Sequence, residues 1–251
     1  MLYSYDVQMS HKSLDTTKSI RDSYYLFFII TTCSVVLLLQ NYLSASGIAG
    51  NFISGLPFFI NFNTSFAYVL GWGIFTIFIY TFIPLVTIYA LKETPKQYGF
   101  SFNKNGKLIY LIAPILILPI TFIFSKSQDF QNTYPFLSNP NSFIELICWE
   151  AIYLVQFAAL EFFFRGFMLH AILRLTNVWV AILLTSTPYM LIHLVKPTPE
   201  TIASFFGSIL LCWIAIKFKT IAIGIYLHIL LAASMDLFAL FNKGWFSKIY
   251  I

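Results

Sequence analysis

Charge is what this sequence has least of. Its 251 residues include 15 Lys or Arg and 10 Asp or Glu, 10% of the chain, where soluble domains carry about 25%. So few charges cannot clothe the surface of a soluble protein of this size. The same shortage excludes an intrinsically disordered chain. Cysteine is scarce as well: Cys33, Cys148 and Cys212 stand singly in apolar runs, with no CxxC and no Cys/His finger spacing. A disulfide-stapled scaffold is thereby excluded, and the three read as small buried side chains. No HExxH, no internal repeat and no second domain is found, so residues 1–251 read as a single integral membrane domain.

What fills the chain is apolar. Hydrophobic residues make up 59% and aromatics 19%, with a mean hydropathy of +0.78. About 20 apolar residues cross a hydrocarbon core of roughly 30 Å. Seven runs qualify, at about 24–43, 66–91, 108–125, 144–170, 178–195, 200–216 and 220–241. The expected fold is therefore all-α, a polytopic transmembrane helix bundle of about seven spans (six to eight). Pro84, Pro114 and Pro119 should kink the second and third runs, which buried bundles tolerate. The uncharged stretch 44–65 is expected to be an interfacial loop with a short re-entrant piece. Residues 1–23 form a polar N-terminal segment that precedes an uncleaved anchor.

The net charge of +5 is explained by loop cations rather than by a nucleic-acid partner. With the N-terminus inside, inner segments hold ten: Lys12, Lys18, Arg21, Lys92, Lys96, Lys104, Lys107, Arg174, Lys217 and Lys219. Outer segments hold four: Lys126, Lys196, Lys243 and Lys248. That bias favours a cytoplasmic N-terminus facing an anionic lipid surface.

A charge at bilayer depth costs about 2.5–3.5 kcal/mol on insertion scales, so each such residue is by default a functional candidate. Nearly all of them follow residue 144. Glu145 reads as part of a capping box with Ser142. Thr198-Pro199-Glu200 has the order of a helix start, and Glu200 also reads as a partner for His193 across the proline turn. His170 and Arg174 mark the inner mouth of the fourth run, where long side chains snorkel. Glu161 and Arg165 are four residues apart on one helix face, wrapped by Phe162, Phe163 and Phe164. A buried ion pair seldom contributes net stability, which argues for a role beyond packing. Glu150, eleven residues before Glu161, falls about 20° from the same stripe. His193 and His228 stand on other helices, and neutral imidazole is the cheapest proton acceptor to keep in lipid. One carboxylate with two imidazoles can deprotonate a water for attack on a carbonyl. The same three could instead bind zinc as His₂Glu with an open position.

At these residues the sequence resembles the CPBP family, the CAAX-protease and bacteriocin-processing (Abi) intramembrane proteases. Their signature is an EExxxR helix followed by FxxxH and HxxxN/D on successive spans. The resemblance covers about residues 144–240, the expected catalytic core, and is most specific at Glu161-Phe-Phe-Phe-Arg165-Gly166-Phe167. Tyr189 precedes His193 where the family usually has Phe. His193-Leu-Val-Lys196-Pro197-Thr-Pro199-Glu200 resembles a bacterial subgroup whose second motif continues as HxxKPxPE. Gly224-Ile-Tyr-Leu-His228 with Ala233-Ser-Met-Asp236 resembles its third motif. The first Glu of the family pair is Leu160 here, and the Asn/Asp position after the last histidine is Ala232. Either the roles have moved to Glu161, Glu150 and Asp236, or catalysis has been lost.

The resemblance implies a glutamic endopeptidase without a metal or other cofactor, acting on a peptide or protein within the bilayer. Glu161 would be the general base with His193. Arg165 would fix Glu161 and keep it ionised, and His228 would donate to the tetrahedral oxyanion or steady the water. Asp236 would orient an imidazole, with Glu150, Lys196 and Glu200 in support. Two other classes stay open: an inactive binding or immunity protein, and a proton-coupled transporter. Phe-, Ile- and Lys-rich usage suggests a bacterial cell membrane.

Overall fold

The structure, a computed structural model, describes residues 16–44, 46–59, 62–101, 106–138 and 140–248. Most of the polar segment 1–23, with Lys12, and also Lys104 lie outside them. The described residues are helical, with no strand among them. Helix α1 (Thr16–Leu39) runs into a π-helical turn (Gln40–Ser44), followed by α2 (Ile48–Ser54), α3 (Thr64–Ala90), α4 (Lys107–Phe124) and α5 (Gln128–Thr133). Then come α6 (Phe143–Glu161), a π-helical segment (Phe162–Met168), α7 (Leu169–Leu173), α8 (Val178–Leu191), α9 (Thr198–Phe218), α10 (Ala222–Asn242) and α11 (Trp245–Lys248).

Among the described residues, six helices are long and apolar enough to cross a membrane, and the continuous α6–α7 helix is one of them. The fifth expected run, 178–195, is shorter than read. Helix α8 has 14 residues, about 21 Å at 1.5 Å per residue, and gives way at Ile192 to tight turns leading into Pro197. The described part of the stretch 44–65 is more helical than the expected loop: it holds α2, which packs against α3, and a short 3₁₀ turn, Pro57–Phe59.

Helix starts follow the sequence's capping residues. Asn63 caps α3 and Asn177 caps α8, where its side chain accepts from the Val180 amide at 3.0 Å. Ser142 accepts from the Glu145 amide at 3.2 Å, the first half of the expected capping box, but the Glu145 carboxylate accepts from the Asn141 amide at 2.8 Å rather than from that of Ser142. Helix α9 differs: Pro197, not Thr198, stands at its N-cap, with Glu200 in the first turn. A proline inside a helix leaves a carbonyl without its donor, and at Pro114 a neighbouring helix supplies one. Pro114 cannot bond back to Tyr110, whose carbonyl accepts instead from the Tyr226 hydroxyl of α10 at 3.0 Å. Helix α1 and the π-helical turn after it are joined to α3 by Thr32–Thr87 (2.6 Å) and Ser44–Thr76 (2.9 Å) hydroxyl pairs, the polar contacts by which spans associate in lipid.

The largest core cluster gathers Val36, Ile79, Tyr80, Tyr98, Leu160, Phe163, Phe164 and Phe167 around the π-helical segment. Large apolar side chains such as Phe78, Phe82, Leu111, Ile115 and Val195 point outward, as a lipid-facing surface requires.

Loops bind the two ends of the bundle. At the inner end of the expected topology, Arg174 pairs with Glu93, which also accepts from Tyr98, and the Ile221 amide donates to the Gly99 carbonyl at 3.0 Å. At the outer end, Lys243 donates to the Tyr134 carbonyl at 2.7 Å and Asn242 to the Ser125 carbonyl at 3.1 Å.

Candidate active site

The site is built where α6 changes its winding. Glu161 ends the α-helical part, and Arg165 lies in the π-helical segment that follows. π-helical turns are rare and frequent at functional sites. They leave the local carbonyls in need of donors, and His170 answers: its Nδ1 donates to the carbonyls of Arg165 (2.8 Å) and Gly166 (3.0 Å). His170 is thus tied to the helix backbone rather than reaching outward as expected. Gly166 is required by close approach, because a Cβ there would sit 3.0 Å from the Tyr98 carbonyl oxygen.

Glu161 and Arg165 are both 0% exposed. Arg165 Nη1 donates to Glu161 Oε1 at 3.0 Å, the contact that the four-residue spacing implied. His228 Nδ1 donates to the same oxygen at 2.9 Å. Glu161 Oε2 has no hydrogen-bond partner, nor have Arg165 Nε and Nη2. A Cβ at position 224 would stand 2.7 Å from Oε2, so Gly224 is what lets α10 close over the carboxylate. Gly224 and His228, one turn apart on α10, meet the acid together.

Tyr189 of α8 completes the cluster. Its hydroxyl lies 3.3 Å from His228 Nε2, and the Arg165 guanidinium lies over its ring at 4.0 Å, a cation–π contact inside a dry core. Phe157 stacks on the His228 imidazole at 4.4 Å between centroids. His193 reaches the site through Tyr189: their rings are 4.7 Å apart, and His193 Nδ1 donates to the Tyr189 carbonyl at 2.8 Å. That bond leaves Nε2 of a neutral His193 as an acceptor.

The remaining expected residues form a second cluster nearer the outer end. Asp236 turns to the Trp149 indole N–H (3.4 Å) and to Glu150, not to an imidazole as expected. Glu150, though on the Glu161 stripe, therefore belongs with Asp236. Glu200 accepts from the Tyr134 hydroxyl at 2.6 Å instead of pairing with His193. Lys196 donates to that same hydroxyl at 3.0 Å, with its ammonium 3.7 Å from the Phe136 ring centre. Burial pushes the Lys196 ammonium down to about 8, against the pull of Glu200 and Asp236. Burial also raises the Tyr134 phenol well above its ordinary range, helped by Glu200.

Leu160 and Ala232, the positions that depart from the family pattern, are packed among apolar neighbours: Leu160 in the main core, Ala232 with Trp149 and Tyr153. The Tyr189 hydroxyl and the clearance at Gly224 escaped the sequence reading. Their signals were a Tyr in place of the usual Phe and a Gly four residues before a buried His. Among the described residues, no three His, Cys, Asp or Glu side chains converge as a metal would need, so the His₂Glu zinc grouping is not assembled.

No curated protein and no solved structure matches the chain. A family model does, over residues 142–234, from the N-cap of α6 into α10, a stretch that holds Glu161, Arg165, Tyr189, His193 and His228. The segment carrying the buried acid and both imidazoles is thus similar to the Rce1-like family of type II CAAX prenyl endopeptidases.

Proposed function

We propose that this chain is an intramembrane endopeptidase of the CPBP kind, in which Glu161 is the general base. One observation carries the reading: the two oxygens of the buried carboxylate have unequal surroundings. Oε1 accepts from Arg165 and His228, while Oε2 accepts from nothing. The first oxygen anchors the group and the second is the one able to hold a water. As that water's oxygen bonds to a peptide carbonyl carbon, its proton passes to Glu161. Collapse of the tetrahedral centre breaks the C–N bond, and the proton moves on to the departing amine. Arg165 holds the carboxylate in place, and its Nε and Nη2 are donors for developing negative charge. His193 Nε2 assists in holding the water. Glu150, Asp236, Lys196 and Glu200 support the outer end of the same helices.

The substrate class is a peptide bond in another membrane-associated chain. CAAX-type prenylated termini are the first to try, given the family model matched, and a bacterial cell membrane is the setting that composition favours. A second reading has its own support. Leu160 and Ala232 are buried among apolar side chains where the family pattern has polar groups, as in a protein that keeps the fold for binding and has given up turnover.

The test uses full-length protein in nanodiscs, a farnesylated CAAX peptide and a set of transmembrane peptides, with products read by mass spectrometry. The expected outcome is cleavage that Glu161→Gln reduces at least 10²-fold, the range of general-base catalysis, at unchanged yield, and that chelators leave intact. Cleavage that persists in Glu161→Gln removes the carboxylate from the reaction. A cellular phenotype that survives Glu161→Gln, with no peptide cut by the wild type, establishes the binding reading.

A further inference from the structure

Tyr189 touches more of the site than any residue assigned to it so far. Its ring packs edge-on to Phe164 (5.2 Å between centroids) and beneath the Arg165 guanidinium. Its carbonyl holds His193 Nδ1, and its hydroxyl faces His228 Nε2. A phenylalanine would supply all of these except the last. The hydroxyl adds a hydrogen bond at the ring nitrogen of His228 that does not face Glu161 and accepts one from the Arg165 guanidinium.

That placement has a chemical consequence. A neutral imidazole carries one N–H, on either nitrogen. With the proton on Nδ1, His228 donates to Glu161 Oε1 across 2.9 Å. With the proton on Nε2, two lone pairs would oppose each other at that distance, so either the ring would turn away or Glu161 would take up a proton and cease to be a base. Phe157 lies flat on the imidazole face and cannot choose between the nitrogens. A phenol can donate or accept, but the Arg165 guanidinium already donates to the Tyr189 oxygen, which leaves the phenol proton to donate to Nε2 and favours the form whose proton sits on Nδ1.

We infer that Tyr189 is a positioning residue that holds His228 in its Nδ1-protonated form, and through it keeps Glu161 Oε1 occupied and Oε2 free as the basic oxygen. The kinetic side of this inference rests on the reading of Glu161 as the base, whereas the tautomer itself does not.

The experiment is ¹⁵N-histidine NMR on the full chain in nanodiscs, with His228 signals assigned by their loss in His228→Asn. Wild type should show His228 as a single Nδ1–H tautomer. Tyr189→Phe should show a mixture or the Nε2–H form, with the His193 signals and thermal midpoint unchanged. Its kcat should fall about tenfold, the weight of one hydrogen bond, with KM unmoved. If Tyr189→Phe misfolds, 3,5-difluorotyrosine at 189, a stronger donor, should shift the Nε2 resonance instead. An unaltered His228 tautomer in Tyr189→Phe, or an unmoved resonance with the fluorinated ring, overturns the inference. A tautomer change in a chain that cleaves no peptide would leave Tyr189's role standing and remove the protease reading.

Discussion

Lys196 shows how one side chain records its surroundings. Its ammonium sits over two aromatic rings and donates to Tyr134, but it is partly buried, and that burial outweighs the help of Glu200 and Asp236, leaving it at about 8 against an ordinary 10.5. Between those two values the unfolded chain keeps a proton that the folded chain has released. Stability from this group therefore rises with pH across the window and is flat below about 8, where both states are protonated. Thermal midpoints in detergent from pH 8 to 10 should climb more steeply for wild type than for Lys196→Met. Parallel curves would mean that Lys196 keeps its ordinary affinity for the proton. At this scale the sequence was a fair guide wherever a contact is local. The Glu161–Arg165 pair follows from 3.6-residue periodicity, and the Ser142–Glu145 cap from a four-residue pattern. Contacts between helices were not legible in that way. The choice of Asp236 for Trp149 and Glu150, and of Glu200 for Tyr134, depends on how α6, α9 and α10 are rotated about their axes. No single-helix pattern carries that information.

Among elements, the meeting of α10 with α6 is the most exacting. A methyl at position 224 would press on Glu161 Oε2, whereas a Cβ at position 207 of α9 would meet nothing within 4 Å. Gly207→Ala should therefore be neutral or stabilise by roughly 0.5–1 kcal/mol through helix propensity. Gly224→Ala should abolish cleavage and lower the thermal midpoint. Assaying both in one host lipid checks this, and equal behaviour of the two would show that α10 has slack over the acid. The spans themselves were legible because hydropathy is a property of the chain, and six of the expected runs are long apolar helices. The π-helical winding at Phe162–Met168 was not. It depends on His170 and Tyr98 approaching from outside the segment. The uncharged stretch 44–65 hid α2 because its helical face is defined only by contact with α3.

For the whole molecule the orientation is the open prediction. Arg174, Glu93 and Gly99 gather at one end and Lys196, Tyr134 and Lys243 at the other, and the distribution of basic residues puts the first end in the cytoplasm. With Cys33, Cys148 and Cys212 replaced, Lys126→Cys should react with an impermeant maleimide on intact cells, and Thr176→Cys only after permeabilisation. The reverse pattern would invert the topology. The ties at both ends also say how the molecule can open. Loops cross-linked at each rim act like the hoops of a cask, which parts between its staves and not at its lids. Helix α4, with only Ala113 and Thr121 buried and α10 as its principal neighbour, is the loosest stave. A chain bound for the sequestered acid would then arrive sideways out of the lipid, and the thickness and fluidity of the bilayer would set the rate of the proposed cleavage.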